Sequence, residues 1–341
     1  LGHQQTELKE ETMRRTRLFM MGILCSLFPV SLAAQYIPAV PVPQPMPIPR
    51  AIMNFAGPVP LELHLPTVFP NSFDESDRDL PVREQETIQK SFSMAGAPHR
   101  SLEIDNVWGS LEVVGSDSDQ AQLTVNKSIR AESKDKLEQA RKEVTLDITE
   151  QQGSLKLYVN GPFRCHCDDG CGHREFEGYV VKMDFQLRVP RDLDIKLKTV
   201  NEGRVLVRDI HGTFLIRNVN GDVEMDNVAG SGSVHTVNGP VKVSFRQNPG
   251  ENSEFRTVNG AVELRFVQGL AADFRFKTFN GGIYSDFPVT ALPVHALQEE
   301  HRGAKVIFRA DRYTGVRIGS GGPEIQVENL NGDIRILENH E

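Results

Sequence analysis

Basic surplus, aromatic residues and long apolar runs are all scarce in this chain. The formal net charge is −8 at pH 7. A nucleic-acid binder gathers Lys and Arg on one face, and no such gathering is visible, so nucleic acid is excluded as a partner. The apolar run over 18–30 is broken by Pro29 and too short to span a bilayer, and no second span follows it. Catalytic signatures are missing too. The chain has neither Gly-x-Ser-x-Gly nor His-Glu-x-x-His, and no readable pair of catalytic carboxylates. Ser320-Gly-Gly-Pro323 lacks the Lys and the following helix that a phosphate loop needs. These absences point away from an enzyme. Asp222, Glu224, Asp226, Asp333, His211 and His235 read as solvated surface.

What the chain has instead is a repeated phrase, apolar-x-apolar-x-Thr/Asn-x-Asn-Gly. It ends at Asn201, Asn220, Asn238, Asn259 and Asn280, which lie 19, 18, 21 and 21 residues apart, and again at Asn331. A fixed period near 20 signals stacked units, each burying an apolar face against its neighbours. Parity along the strand places Ile195, Leu197, Thr199 and Asn201 on one face. The six asparagines are therefore expected inside, as a buried amide ladder, with Val200 and its equivalents outside. Asn-Gly is a strong turn signal, and a second alternating strand follows each one, as in Val241/Val243/Phe245. The RTX-type Ca²⁺ repeat requires a nine-residue period, which is absent. The expected fold is all-β: a solenoid-like stack of short strands, with a small α/β cap near its N-terminal end.

Composition divides the rest. Met13, Arg14, Arg15 and Arg17, the run over 18–30 and Ser31-Leu-Ala33-Ala34 together form a signal peptide over 13–34. Residues 1–12 precede that Met and read as a leader outside the protein proper. Residues 35–99 are first proline-rich, then polar and acidic, and read as a linker. Residues 100–190 should hold a first rung with Trp108 in the corner position, then a helix over 133–144 opened by Ser133. That helix is expected to cover an open end of the stack. Residues 191–341 form the repeat stack. The strand over 330–337 is the candidate exposed edge for self-association. The address is export, to the periplasm or the cell surface.

One constellation could carry chemistry. Cys165, His166, Cys167, Cys171 and His173 share a hairpin tip. Cys165, Cys167, Cys171 and His173 could supply a tetrahedral Zn²⁺ set. An oxidising compartment equally favours a disulfide, Cys167–Cys171 or Cys165–Cys171, with an odd thiol left over. Zinc is the one cofactor to which the residues point.

The Thr-Val-Asn-Gly-x-Val phrases at 236–241 and 257–262 and the closing Leu-Asn-Gly-Asp-Ile-Arg-Ile336 resemble the bacterial putative-adhesin family. This is a β-strand-repeat domain of unknown function found in exported envelope proteins. The resemblance covers about residues 100–337. It implies a solenoid-like fold and a non-enzymatic scaffold that binds a cell-surface or envelope partner, protein or glycan. A periplasmic sensor of envelope stress is the alternative, as is a metal- or redox-linked role at the Cys165–His173 hairpin.

Overall fold

The computed structural model describes residues 80–164, 178–293, 298–302, 305–309 and 313–339. All lie in the unit Asn71–Glu341. The signal sequence, the proline-rich segment and the Cys165–His173 hairpin fall outside the described residues.

The described chain is all-β, with two large mixed sheets and one helix, and neither sheet closes into a barrel. Each repeat gives its first strand to an 11-stranded sheet and its second to a 10-stranded sheet. Thus Phe214–Arg217 pairs in parallel with Asp194–Lys198 and Gly232–His235, while Val223–Val228 pairs in parallel with Val205–Arg208 and Val241–Phe245. Equivalent residues fall in register, so apolar positions stack into columns at the ~4.8 Å strand spacing. Val205, Val223, Val241, Val262 and Ile334 form one such column, each fully buried. Trp108 bridges Asn201, the corner position the sequence assigned to it.

Aromatic rings tie the sheets together. Phe245 of the 10-stranded sheet meets Phe255 of the other edge-on at 6.2 Å and stacks on Phe266 at 5.0 Å. Phe266 meets Phe274 edge-on at 5.8 Å. Such pairs add about 0.5–1.5 kcal/mol each beyond the area they bury.

The order of strands in space departs from their order in sequence. Glu324–Asn331 lies between Ser253–Asn259 and Ala272–Lys277, parallel to both. Ile334–Glu338 lies between Val262–Phe266 and Ile283–Ser285. The last repeat is therefore an inner rung, and the strand over 330–337 is not the exposed edge the sequence suggested. The edge of the 10-stranded sheet is Ile283–Ser285. Charge favours the insertion at one row, although Asp273 then stands opposite Glu324 at another. Arg256, Glu328 and Lys277 occupy one register row, with the acid between the two bases. Glu263, Arg335 and Tyr284 form a second row. Direct pairing of the flanking rungs would set Arg256 opposite Lys277, and like charges directly opposed destabilise a sheet.

One further expectation changes, and one element forms where the sequence placed it. The linker boundary at 99 moves, because Val82–Ser93 pairs antiparallel with Gln120–Ala131 along its whole length. Its polar, charged sequence suits an edge strand, which stays soluble by carrying charge. The helix Lys134–Glu143 starts as expected, with the Ser133 hydroxyl accepting from Lys136 N at 3.2 Å. It packs through buried Leu137 and Ala140 against the strands Gln120–Ala131 and Tyr179–Pro190, second and third from one edge of the 10-stranded sheet.

Beneath this helix Lys127 is 8% exposed, and its Nζ donates to Val144 O at 2.9 Å, at the helix C-cap. Burial pushes the Lys127 pKa down, although Glu86 and Glu84 oppose the shift. A lowered folded-state pKa means that the unfolded chain holds more protons. The Lys127 contribution to stability is thus lost as pH falls from the ordinary lysine range through the lowered value. Lys127→Met is expected to gain about 1 kcal/mol at pH 7 by removing a buried charge, and to lose that advantage as pH climbs toward 10. Urea melts of both proteins at the two pH values check this.

Candidate interaction surface

The corner of each repeat is built by three residue columns. The first faces inward and supplies donors. Thr199 Oγ1 donates to Gly109 O at 2.9 Å, Asn218 Nδ2 to Gly203 O at 2.6 Å, and Thr236 Oγ1 to Gly221 O at 3.0 Å. Thr257 Oγ1 and Asn329 Nδ2 reach Gly239 O and Gly260 O, each at 2.8 Å. All five side chains are buried, and they satisfy corner carbonyls that the sheets leave unpaired. A Thr or an Asn serves here because one donor suffices.

The second column is the asparagines. Asn220 Nδ2 donates to Asn201 Oδ1 at 2.9 Å, Asn238 to Asn220 at 2.8 Å and Asn259 to Asn238 at 2.8 Å. Asn331 donates to Asn259 at 2.7 Å, and Asn280 to Asn331 at 2.8 Å. The spatial order is 201, 220, 238, 259, 331, 280, with every amide pointing the same way. The column stands outside, however. Asn201 is half-buried and the other five are exposed. Strand parity predicted the reverse. It fails because the Thr/Asn position is the last that the core covers, and the ladder Asn two residues on is the end of the strand in Ser253–Asn259 and Glu324–Asn331.

The third column is apolar and lies between the other two in sequence. Val200, Val219 and Val258 are half-buried, while Val237, Leu330 and Phe279 are exposed. Exposure is greatest at the last two rungs, 45% at Leu330 and 74% at Phe279, against 37% at Val237. Ile283 and Tyr284 on the edge strand of one sheet, and Val289 on the edge strand of the other, are also exposed. Among the described residues, five of the six exposed large apolar side chains thus belong to the last two rungs or to the edge strands beside them. Apolar side chains exposed together at one end of a fold make that end the candidate interaction surface. The signal was present in the sequence as the Val200-type positions, but the gradient depends on the rung order.

Beside this patch sits an ionic cluster. Glu328 takes a hydrogen bond from Tyr313 Oη, a second from Gln326 Nε2 at 2.8 Å, and an ion pair from Arg256 at 2.9 Å. Burial alone would raise the Glu328 pKa, but these bonds and the charges of Arg256 and Lys277 hold it below the ordinary range. Its stabilising contribution is therefore present above the ordinary carboxylate range and lost as pH falls through the lowered value.

A second concave surface is a groove of about 730 Å³ on the outer face of the 11-stranded sheet, where Gly232 and Ser233 leave room beside Glu103, Lys196 and Glu254. The acids lining it are engaged. Glu103 meets Lys196 at 3.1 Å, Asp194 accepts from Thr213, Glu254 lies 3.2 Å from Arg256, and Glu324 pairs with Arg275 at 3.2 Å. His211 and His235, expected at the surface, are half-buried. Their Nε2 atoms lack hydrogen-bond partners, although His235 Nε2 lies 3.3 Å from a Glu254 oxygen. Among the described residues no group of His, Cys, Asp or Glu could hold a metal ion, and no helix is long and apolar enough to cross a membrane.

No family model and no curated protein matches the chain. Solved structures to which it is similar include a putative cell adhesion protein from Clostridium sporogenes. That match is 10% identical, spans 75% of this chain and 100% of the other, and has a TM-score of 0.33. A putative adhesin from Bacteroides fragilis is 11% identical over 74% of this chain and 97% of its own, with a TM-score of 0.32. A putative lipid binding protein from Parabacteroides distasonis is 10% identical over 74% and 96%, with a TM-score of 0.25. Two of these names are those of the family that the repeat phrase resembles. At such scores they carry no functional argument, which rests on the surface itself.

Proposed function

We propose that this chain is an exported, non-enzymatic scaffold of the adhesin type. Its solenoid-like stack holds an apolar end against a protein or glycan of the cell surface or envelope. The observation that carries the reading is the patch of Phe279, Ile283, Tyr284, Val289 and Leu330. The engaged acids of the groove support the non-enzymatic part, since each already meets a hydrogen-bond or ionic partner.

The test is retention of the purified mature protein on isolated cell envelopes. The wild type should co-sediment saturably. Phe279→Asp combined with Tyr284→Asp should weaken retention by about tenfold or more, as expected for a central apolar anchor. Arg83→Glu, on the opposite edge strand of the same sheet, should leave it unchanged. Equal retention of all three proteins would overturn the reading.

A further inference from the structure

The repeat over 324–338 occupies a slot between two rungs that precede it in sequence, and both walls of the slot come from elsewhere in the chain. We propose that this slot is a strand-exchange site, filled by the chain's own repeat in one state and by the same repeat of a second copy in another. The proposal does not depend on what the apolar patch binds, although Leu330 lies on the repeat and Tyr284 on one wall of the slot.

Three observations carry it. First, the slot recognises its occupant by charge as well as by backbone pairing. Arg256 lies 2.9 Å and Lys277 3.9 Å from the Glu328 carboxylate, one from each wall. Arg335 of the incoming repeat stands in register between Glu263 and Tyr284. The ladder amides add polarity: Asn331 donates to Asn259 on one wall and accepts from Asn280 on the other. A second copy carries all of these features on the same residues, so it is the partner of known fit.

Second, the repeat enters the slot through a hinge built for conformational change. Gly319-Ser-Gly-Gly-Pro323 joins Thr314–Ile318 to Glu324–Asn331, with Gly319 at φ +60° and Gly321 at φ +75°. This is the glycine loop that was unsuited to phosphate. Thr314–Ile318 is anchored on Ala272–Lys277 and Gly321 N donates to Ile318 O at 3.2 Å, whereas the bond from Asp273 N to Pro323 O at 3.1 Å belongs to the slot and breaks when the repeat leaves. Opening it releases the repeat as one piece.

Third, exchange conserves every contact. Two copies that swap repeats reciprocally form the same hydrogen bonds, ion pairs and apolar columns as two separate copies. The cost lies only in joining the chains and re-setting the hinge, which makes swapping a low-cost route to a two-fold dimer. Glu328 of each copy then completes the Arg256–Lys277 site of the other.

A charge-reversal mixing experiment on full chains tests this. In Glu328→Lys the slot and the repeat are both basic at this row. In Arg256→Glu with Lys277→Glu both are acidic. Each protein alone should show a lowered Tm and reject its own repeat. Co-refolded in equal amounts, they should give a 1:1 heterodimer by native mass spectrometry, because each repeat now fits the other slot, and the Tm should rise above that of either alone. A mixture that stays monomeric and keeps its two separate low Tm values would overturn the proposal. Wild-type chains of normal and heavy isotope content provide a second measurement, independent of whether the variants fold. Co-refolded at high concentration they should give mixed-mass dimers, and Glu328→Lys introduced into only one of the two should reduce that mixed species several-fold. Monomers alone at every concentration, or dimers indifferent to Glu328, would also overturn it.

Discussion

Gly239→Ala is expected to cost the fold about 3–5 kcal/mol, enough to leave a marginally stable domain largely unfolded at room temperature. Gly239 sits at φ +155°, and a Cβ there would lie 2.4 Å from Gly221 O and 2.6 Å from its carbonyl carbon. The obstacle is backbone and cannot move aside as a side chain could. The neighbouring rungs repeat the arrangement: Gly221 meets Gly203, Gly260 meets Gly239, and Gly332 meets Gly260, each within 2.4 Å of a carbonyl oxygen. The glycine of each Asn-Gly pair is thus required by the close approach of stacked corners as well as by its dihedral angle. Gly250→Ala is the control. It has nothing within 4 Å and should be neutral or slightly stabilising. Urea midpoints of the two variants should differ widely; similar midpoints would mean that the corners do not approach as described.

Phe245→Ala should be nearly as damaging, at about 3–5 kcal/mol. The ring is fully buried and contacts Phe255 across the sheets and Phe266 along its own. Removing it leaves a void in the plane where the two sheets meet, walled by rigid stacked columns that cannot collapse far. Phe245→Leu refills most of that volume and should cost only about 1–2 kcal/mol. A thermal melt ranking wild type above Leu above Ala, with the Leu variant closer to wild type, is the expected result. An Ala variant that melts with the Leu variant would show that the ring contacts contribute little.

Much of this architecture was written in the spacing of Asn201, Asn220, Asn238 and Asn259. Period, turn type, the paired strands and the place of Trp108 all follow from it. The inside of the corner was misassigned because the ladder Asn lies at the very end of its strand, as in Ser253–Asn259 and Glu324–Asn331, where the core no longer covers the side that the Thr/Asn position shares with it. The linker boundary was misplaced because an edge strand such as Val82–Ser93 buries only Phe92 of its own residues, so its sequence shows little apolar alternation. The insertion of the last repeat was hidden for another reason. Periodicity reports which segments are rungs and is silent on their order. The charges at Arg256, Lys277 and Glu328 agree with that order, but they can be interpreted only once the register is known. The apolar patch was legible in part, as the uncomfortable outward valines, and its position at one end was not. The cysteine hairpin lies outside the described residues and keeps the standing the sequence gives it.

The inserted repeat also has a consequence in time. A chain made from its N-terminus delivers Asn280 long before Asn331, the residue it hydrogen-bonds, 51 positions later. Until Thr314–Ile318 is made the rung of Ala272–Lys277 has neither of its sheet neighbours, and Ser253–Asn259 shows an open edge where Glu324–Asn331 will lie. Folding of this end cannot run rung by rung behind synthesis, as it can from Asp194 to Phe266. It must wait, and a waiting sheet edge is the part of a nascent β-protein most exposed to wrong partners.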